Sequence, residues 1–352
     1  MEIPPLFSIA NPYAPRWIDL RPPAEEAAEI IRRLIIVVGY DDVEGAPQIL
    51  GTGFIVGTNP DLLAITATHI LTEWADRVRP SKPHGLSGIV GDGEDLRDRL
   101  HKLINANLIR AIVLPKPPAR HRLCKIMSLT ISTDPRHIDV TSLRLIPPPG
   151  THFYDFNAFA VDVEPAPLYE PVLMAGVVRG HWVPPDIEDE PFELRADVLI
   201  RAGYLHGLVH DAPAFHCPMF HVNMPSRAGM SGGPLITLRR PAARASIISS
   251  ERTLYANARG VISRDCASPS LILDGSDPGE TWVAPIEDAF LLRLDVTGST
   301  SMSFGDAVRE RRVASFGPRS QRAVVRWLDE ERAALSFDAI ADDPVAPSTP
   351  NT

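Results

Sequence analysis

Residues 226–235, SRAGMSGGPL, decide which fold this chain adopts. Their core, residues 229–233, fits the pattern Gly-x-Ser-x-Gly and places Ser231 on a tight, glycine-rich turn. Such a turn can present a nucleophilic serine where a strand runs into a helix, or present one in a different fold. It can also be a plain turn without chemistry. The positions of the other candidate residues distinguish these possibilities.

The order of the histidines excludes the strand-to-helix arrangement. A serine hydroxyl becomes a good nucleophile only when a histidine accepts its proton and a carboxylate orients that histidine. In α/β-hydrolases the histidine follows the serine. The last of the eleven histidines here is His221, so none follows Ser231. The sequence after the turn, Pro234 and then LITL, also predicts a strand where an α/β-hydrolase has a helix.

The histidine and the carboxylate must then lie upstream of Ser231. His69 follows an apolar strand in LLAITATHIL, residues 62–71. Asp139 precedes the apolar run in HIDVTSLRL, residues 137–145. Asp134 is the alternative acid, but the proline after it indicates a turn, and we prefer Asp139. The hypothesis is therefore a His69, Asp139 and Ser231 triad.

The strand signals form two blocks. Apolar, β-branched runs divided by Gly, Pro, Asn and Asp occupy residues 33–150 and again residues 151–295. No regular βαβ alternation is present in the sequence, so two packed β-barrels fit better than a parallel sheet. Each block is expected to form one barrel.

The remaining segments are predicted as helices, an arm and a tail. Residues 1–32 read as a proline-rich arm followed by a short helix. Residues 94–109 have leucines at helical spacing, which predicts an inserted helix at the surface of the first barrel, with Arg97, Asp98, Arg99 and Lys102 on its polar face. Residues 296–352 are predicted as a helical extension, with its main helix at 320–337, and a disordered tail.

These segments resemble the trypsin-like (chymotrypsin-fold) serine peptidases, in their bacterial intracellular form. An apolar strand runs into Thr-Ala-x-His at His69, the glycine-rich GTGFIVG (51–57) precedes it, and Asp139 begins Asp-Val-x-x-Leu. The resemblance covers roughly residues 33–295. It implies an all-β fold of two packed six-stranded β-barrels, and a serine endopeptidase that cleaves through an acyl-enzyme intermediate.

The resemblance also implies roles for neighbouring residues. The backbone amides of Gly229 and Ser231 would form the oxyanion hole. Pro225 would form the floor of the substrate pocket, and residues 261–265, which include Ser263, one wall. Met230 stands where secreted members carry an aspartate that pairs with a new N-terminus, so no activating cleavage is expected.

Composition limits the partners and the compartment. The 352 residues are 44% hydrophobic, and the formal net charge of −9 disfavours nucleic acid and anionic membranes. Cys124, Cys217 and Cys266 match no metal finger and indicate reduced thiols. The N-terminus has no signal-peptide pattern, and the longest apolar run is too short to cross a bilayer. We expect a cytoplasmic protein acting on a protein or peptide substrate, with a regulatory protein as a further possible partner and no cofactor.

Two alternatives stay open at this stage. The first is a catalytically silent double-barrel scaffold that binds a partner protein. The second is a metal site in HGLVHDAPAFHCPMFH, because imidazole and thiolate suit zinc. Its candidate ligands are His206, His210, His216, Cys217 and His221. Their spacing matches no common metal motif, so no metal is expected.

Overall fold

A computed structural model describes most of the chain between Ile18 and Asp338. The described residues are 18–20, 25–41, 47–78, 95–114, 122–131, 139–183, 193–210, 217–239, 255–265, 280–296, 299–327 and 333–338. Most of the predicted arm, the predicted tail, Asp134, His216 and Cys266 lie outside these ranges.

The described residues of the first half of the chain form seven strands and three helices. In chain order they are β1 (Ile18–Leu20), α1 (Glu25–Ile31), β2 (Leu34–Gly39), β3 (Gln48–Gly57), β4 (Leu62–Thr66), α2 (Thr68–Arg77), α3 (Leu96–Asn105), β5 (Ile109–Val113), β6 (Arg122–Ile131) and β7 (Thr141–Ile146). Strands β2 to β7 close an antiparallel barrel in the order β2-β3-β4-β7-β6-β5.

Burial explains why the strands of this barrel read as continuous apolar runs. Every residue of β2 and of β4 is buried, on both faces of the sheet. The inward side chains fill the barrel, and the outer face of β2 is covered at Gly39 by the indole of Trp74 from α2, which leaves no room for a side chain there. A strand buried on both faces shows no alternation of polar and apolar residues.

The second barrel uses the strands that follow. These are β8 (Ala160–Asp162), β9 (Glu170–Val183), β10 (Glu193–Val209), β11 (Met219–Val222), β12 (Pro234–Arg239), β13 (Tyr255–Asp265) and β14 (Thr281–Pro285). Six of them close in the order β12-β9-β10-β11-β14-β13, because β12 also pairs with β13. The expected pair of six-stranded barrels is therefore confirmed. Strand β8 adds to β13 in parallel, and β1 pairs with β10.

The C-terminal part differs from the expectation. It contains β15 (Arg293–Val296), β16 (Ser299–Ser303), α4 (Phe304–Arg309), β17 (Ser315–Phe316), α5 (Gly317–Gln321), β18 (Ala323–Trp327) and β19 (Ala333–Phe337). The helix predicted at 320–337 is wrong, because most of that segment is the β18–β19 hairpin. Val325 and its cross-strand partner Leu335 pack against the core, and this contact selects strand over helix.

The inserted helix is confirmed as α3, and Arg97, Asp98 and Lys102 are exposed as expected, but its other face is part of the core. Leu100 and Leu103 are fully buried and belong to the main core. Arg99, expected on the solvent face, is also buried, and its guanidinium donates to Asp76 of α2 at 3.1 Å. Helix α3 thus packs against the helix that carries His69. No helix among the described residues is long and apolar enough to cross a membrane.

Candidate active site

The first barrel brings the predicted His69 and Asp139 together at one of its edges. Strand β4 ends beside the start of β7, where Thr66 pairs with Thr141. His69 follows β4 as the second residue of α2, and Asp139 directly precedes Val140 and β7. His69 Nδ1 lies 2.8 Å from Asp139 Oδ2, and the His69 backbone amide donates to Asp139 Oδ1 at 2.9 Å. The carboxylate therefore fixes both the ring and the backbone of His69.

Ser263 connects this pair to the second barrel. Its hydroxyl, on β13, donates a short hydrogen bond to Asp139 Oδ2. The Ser263 side chain is fully buried, and the Asp139 side chain is only 6% exposed. The sequence predicted Ser263 as part of a pocket wall, whereas its hydroxyl in the structure is directed at the carboxylate. Ser263 and Asp139 are 124 positions apart in the sequence, so no local pattern could reveal this bond.

The Ser231 turn is shaped by two glycines with positive φ angles and by hydrogen bonds within its own backbone. Gly229 and Gly232 have φ angles of +93° and +83°, in the left-handed region that favours glycine. The amide of Met230 donates to the Arg227 carbonyl at 2.9 Å, and the amide of Gly233 donates to the Met230 carbonyl at 2.9 Å. A β-carbon on Gly232 would collide with the carbonyl oxygen of Thr52, so the turn lies directly against the first barrel.

Thr52 is a functional candidate that the sequence analysis missed. It lies on β3, is fully buried, and contacts the nucleophile turn through both backbone and side chain. Its amide donates to the Ser231 carbonyl at 2.8 Å, and its hydroxyl donates to the Gly229 carbonyl at 2.7 Å. The same hydroxyl accepts from the amide of Val177 at 2.9 Å. Thr52 therefore positions the turn across the boundary between the barrels.

The hydroxyl of Ser231 does not bond to His69 in this structure. It donates to the Ser263 carbonyl at 3.0 Å, and no hydrogen bond joins it to His69 in the described part of the chain. The amides of Gly229 and Ser231 have no acceptor among the described residues. Such amides can bind an anion, and catalytic hydrogen bonds are often absent until substrate binds.

Two residues that the sequence analysis placed at the turn and the pocket, Met230 and Pro225, are buried. Met230 has no exposed surface and packs in a cluster within the second barrel, with its backbone close to Gly176. The predicted pocket residue Pro225 is also buried, and its carbonyl accepts a short hydrogen bond from Arg201. Arg201 is itself fully buried, a position that no sequence pattern indicated.

Of the candidate metal ligands in the histidine-rich stretch, only two come together among the described residues. His206 and His221 come together with Glu280, which the sequence analysis did not include. Cys217 is buried, forms no disulfide and lies outside this group, and His210 is exposed just beyond β10.

Comparisons with known proteins find likenesses among solved structures alone. No protein-family model and no curated protein matches this chain. The chain is similar to the crystal structure of the protease Anisep from Arthrobacter nicotinovorans, with 12% identity, a TM-score of 0.41, and coverage of 73% of this chain and 91% of that one. The functional case for this chain therefore depends on its own residues.

Proposed function

We propose that this protein is a serine endopeptidase whose triad is His69, Asp139 and Ser231. The observation that carries the proposal is the buried Asp139 carboxylate, which accepts from the ring and the amide of His69 beside the Ser231 turn. A histidine oriented in this way presents its second ring nitrogen as a base. The glycine-shaped turn supplies two backbone amides without acceptors, as an oxyanion hole requires.

The proposed reaction has two halves. Ser231 Oγ attacks the scissile carbonyl carbon while its proton passes to His69 Nε2. The carbonyl oxygen becomes an oxyanion, which the amides of Gly229 and Ser231 stabilise. When the C–N bond breaks, His69 returns the proton to the leaving amine and an acyl-enzyme remains. Water then attacks the ester, again with His69 as base, and the acid product leaves Ser231 with its proton restored.

Asp139 orients His69 and stabilises the imidazolium during each half-reaction. The Ser231 hydroxyl must first rotate away from the Ser263 carbonyl towards His69. The substrate class proposed is a protein or peptide, with a small or medium apolar side chain over Pro225. No cofactor is required. Cys124 and Cys217 are buried and form no disulfide, which supports a reducing compartment, and we propose the cytoplasm.

A second candidate is a catalytically silent scaffold that binds a partner protein. The bond from Ser231 to the Ser263 carbonyl favours it, because a hydroxyl held there is not activated. Labelling with a fluorophosphonate separates the two functions. An active peptidase labels at Ser231, whereas a scaffold does not label.

The decisive experiment is a peptide-library cleavage profile with matched variants. Ser231→Ala, His69→Ala and Asp139→Ala should each lose most of the activity, since the three act as a unit. Asp134→Ala, at the rival acid position, should remain close to wild type. Wild-type cleavage by Ser231→Ala would reject the proposal, and a loss in Asp134→Ala equal to that in Asp139→Ala would move the acid to position 134.

A further inference from the structure

Three side chains from separate segments of the second barrel, none of them in the proposed triad, converge at one place. His206 lies on β10, His221 on β11, and Glu280 directly before β14. His221 is the cross-strand partner of Trp282, and Glu280 lies two residues before Trp282. Because alternate residues of a strand share a face, this register places His221 and Glu280 on the same side of the sheet.

A β-bulge brings the third side chain into the group. Leu205 pairs with Val222 and Gly207 pairs with His221, so His206 is the extra residue between two regular pairs. Bulges re-aim a side chain relative to the strand. The ring of His206 lies 5.3 Å from that of His221, at an interplanar angle of 78°. The register thus directs the second imidazole towards the first.

The distances suit a metal ion better than an ion pair alone. Glu280 presents one oxygen to each imidazole, with Oε2 at 2.9 Å from His221 Nε2 and Oε1 at 3.9 Å from His206 Nδ1. The second distance is too long for a hydrogen bond. Candidate ligand atoms from all three residues lie within 4.8 Å of one another. Ligands at about 2.0–2.2 Å from a tetrahedral zinc ion are roughly 3.3–3.6 Å apart, so small side-chain rotations suffice.

The site is accessible, and its rings are restrained. The side chains of His206, His221 and Glu280 are 36%, 22% and 41% exposed, so an ion can enter from solvent. The His221 ring lies on the indole of Trp282, with centroids 5.0 Å apart. Tyr169 packs edge-on against His206, with centroids 6.0 Å apart. Restrained rings lose less rotamer freedom when they coordinate a metal.

We infer that His206, His221 and Glu280 bind a divalent transition-metal ion of the zinc class, with water in the fourth tetrahedral position. Imidazole nitrogen disfavours calcium and magnesium, whose ligands are oxygens, and a set of two histidines and one carboxylate suits zinc. None of its three residues belongs to the proposed triad or to the Ser231 turn. His221 pairs with Trp282, which in turn pairs with Arg264, the residue after Ser263. The inference does not rest on the proposed peptidase function.

The test measures metal binding and not activity. Full-length protein is treated with a chelator, dialysed, and titrated with zinc chloride by calorimetry, and cobalt(II) absorption reports the coordination geometry. Wild type should bind one zinc ion per chain, with the spectrum of a tetrahedral cobalt site. His206→Ala, His221→Ala and the isosteric Glu280→Gln should weaken binding by more than the roughly 10–100-fold that loss of an outer-sphere partner costs.

Two controls complete the design. His210→Ala removes an exposed histidine near the same strand end and should bind zinc as wild type does. Ser231→Ala should also bind normally, so failure of the peptidase proposal would leave this result unchanged. Circular dichroism checks that each variant is folded, and Glu280→Gln preserves side-chain shape. A wild type that binds no zinc, or ligand variants that bind as tightly as His210→Ala, would overturn the inference.

Discussion

The hydroxyl of Ser231 donates to the backbone carbonyl of Ser263 at 3.0 Å, while the hydroxyl of Ser263 donates to the carboxylate of Asp139. One residue of β13 therefore contacts both the proposed nucleophile and the proposed acid. It joins the second barrel, which carries Ser231, to the first, which carries His69 and Asp139. Any substitution at Ser263 should act on the alignment of these groups.

Ser263→Ala should lower kcat with little change in KM. A buried carboxylate loses one donor, and hydrogen bonds to charged groups contribute about 1.5–3 kcal/mol, equivalent to roughly a tenfold to hundredfold effect. Steady-state kinetics on a selected peptide measure the split between kcat and KM. Ser263→Thr keeps the hydroxyl and should restore part of the rate. Ser128→Ala, at a half-buried hydroxyl on β6, is the control. An unchanged kcat in Ser263→Ala would show that the bond to Asp139 is unimportant.

Gly232→Ala should be far more harmful than Gly150→Ala. Both glycines have positive φ angles, +83° and +75°, so an alanine at either position bears the same kind of backbone cost, roughly 1–3 kcal/mol. At Gly232 the added β-carbon would also collide with the Thr52 carbonyl, whereas at Gly150 nothing lies within 4 Å of the added β-carbon. Urea unfolding measures both variants. Equal losses of stability would contradict the close approach of the turn to the first barrel.

The intact chain should be competent without cleavage. Met230 is buried in the second-barrel cluster and has no charge to pair with a newly formed N-terminus. A fluorophosphonate should therefore label full-length protein, with mass spectrometry confirming that Met1 and the following residues are present. Ser231→Ala is the unlabelled control. Labelling that appears only after removal of the N-terminal segment would show that the chain is an inactive precursor.

The free energy of unfolding should depend on pH through the carboxyl group of Glu287. Burial raises the pKa of Glu287, and the nearby Arg319 and Arg259 lower it by less. The folded state therefore holds this proton more tightly than the unfolded state does. The resulting stability is present below the unfolded pKa and is lost as pH rises through the folded pKa. Glu287→Gln cannot ionise, so its stability relative to wild type should improve as the pH rises from the unfolded pKa through the raised folded pKa.

The control for Glu287→Gln is Glu310→Gln. Glu310 also faces an arginine, with Arg312 Nε at 3.4 Å from its Oε2, but its side chain is 51% exposed. Chemical denaturation of both variants at several pH values compares a partly buried with an exposed member of an ion pair. A Glu287→Gln difference that does not grow with pH would contradict the direction of the pKa shift.

Removing Arg259 should destabilise the second barrel strongly. Its guanidinium lies 3.2 Å from Asp162 Oδ1, both side chains are buried, and Thr237 donates to the other carboxylate oxygen at 2.7 Å. Arg259→Met leaves a buried carboxylate without its cation, at a cost of about 3–5 kcal/mol. Arg32→Met breaks the exposed pair with Glu29 and should cost no more than about 1 kcal/mol. Thermal and urea unfolding compare the two, and similar losses would count against the buried pair.

The sequence determined the order of the proposed triad and the all-β class. The position of His221 as the last histidine excluded one fold, and the settings of His69 and Asp139 indicated the other. Each is a local signal, because a short stretch shows both the strand and the residue that ends it. The inserted helix was found in the same way, from the spacing of its leucines.

Only the tertiary structure decided the contacts between distant segments. Thr52 meets Gly229 across 177 residues, and Glu280 meets His221 across 59. The β18–β19 hairpin replaced a predicted helix because Val325 and Leu335 pack together on the core. Periodicity reports only which face of a segment is apolar. Which distant residue faces a given side chain depends on barrel closure and strand register, which the whole chain fixes at once.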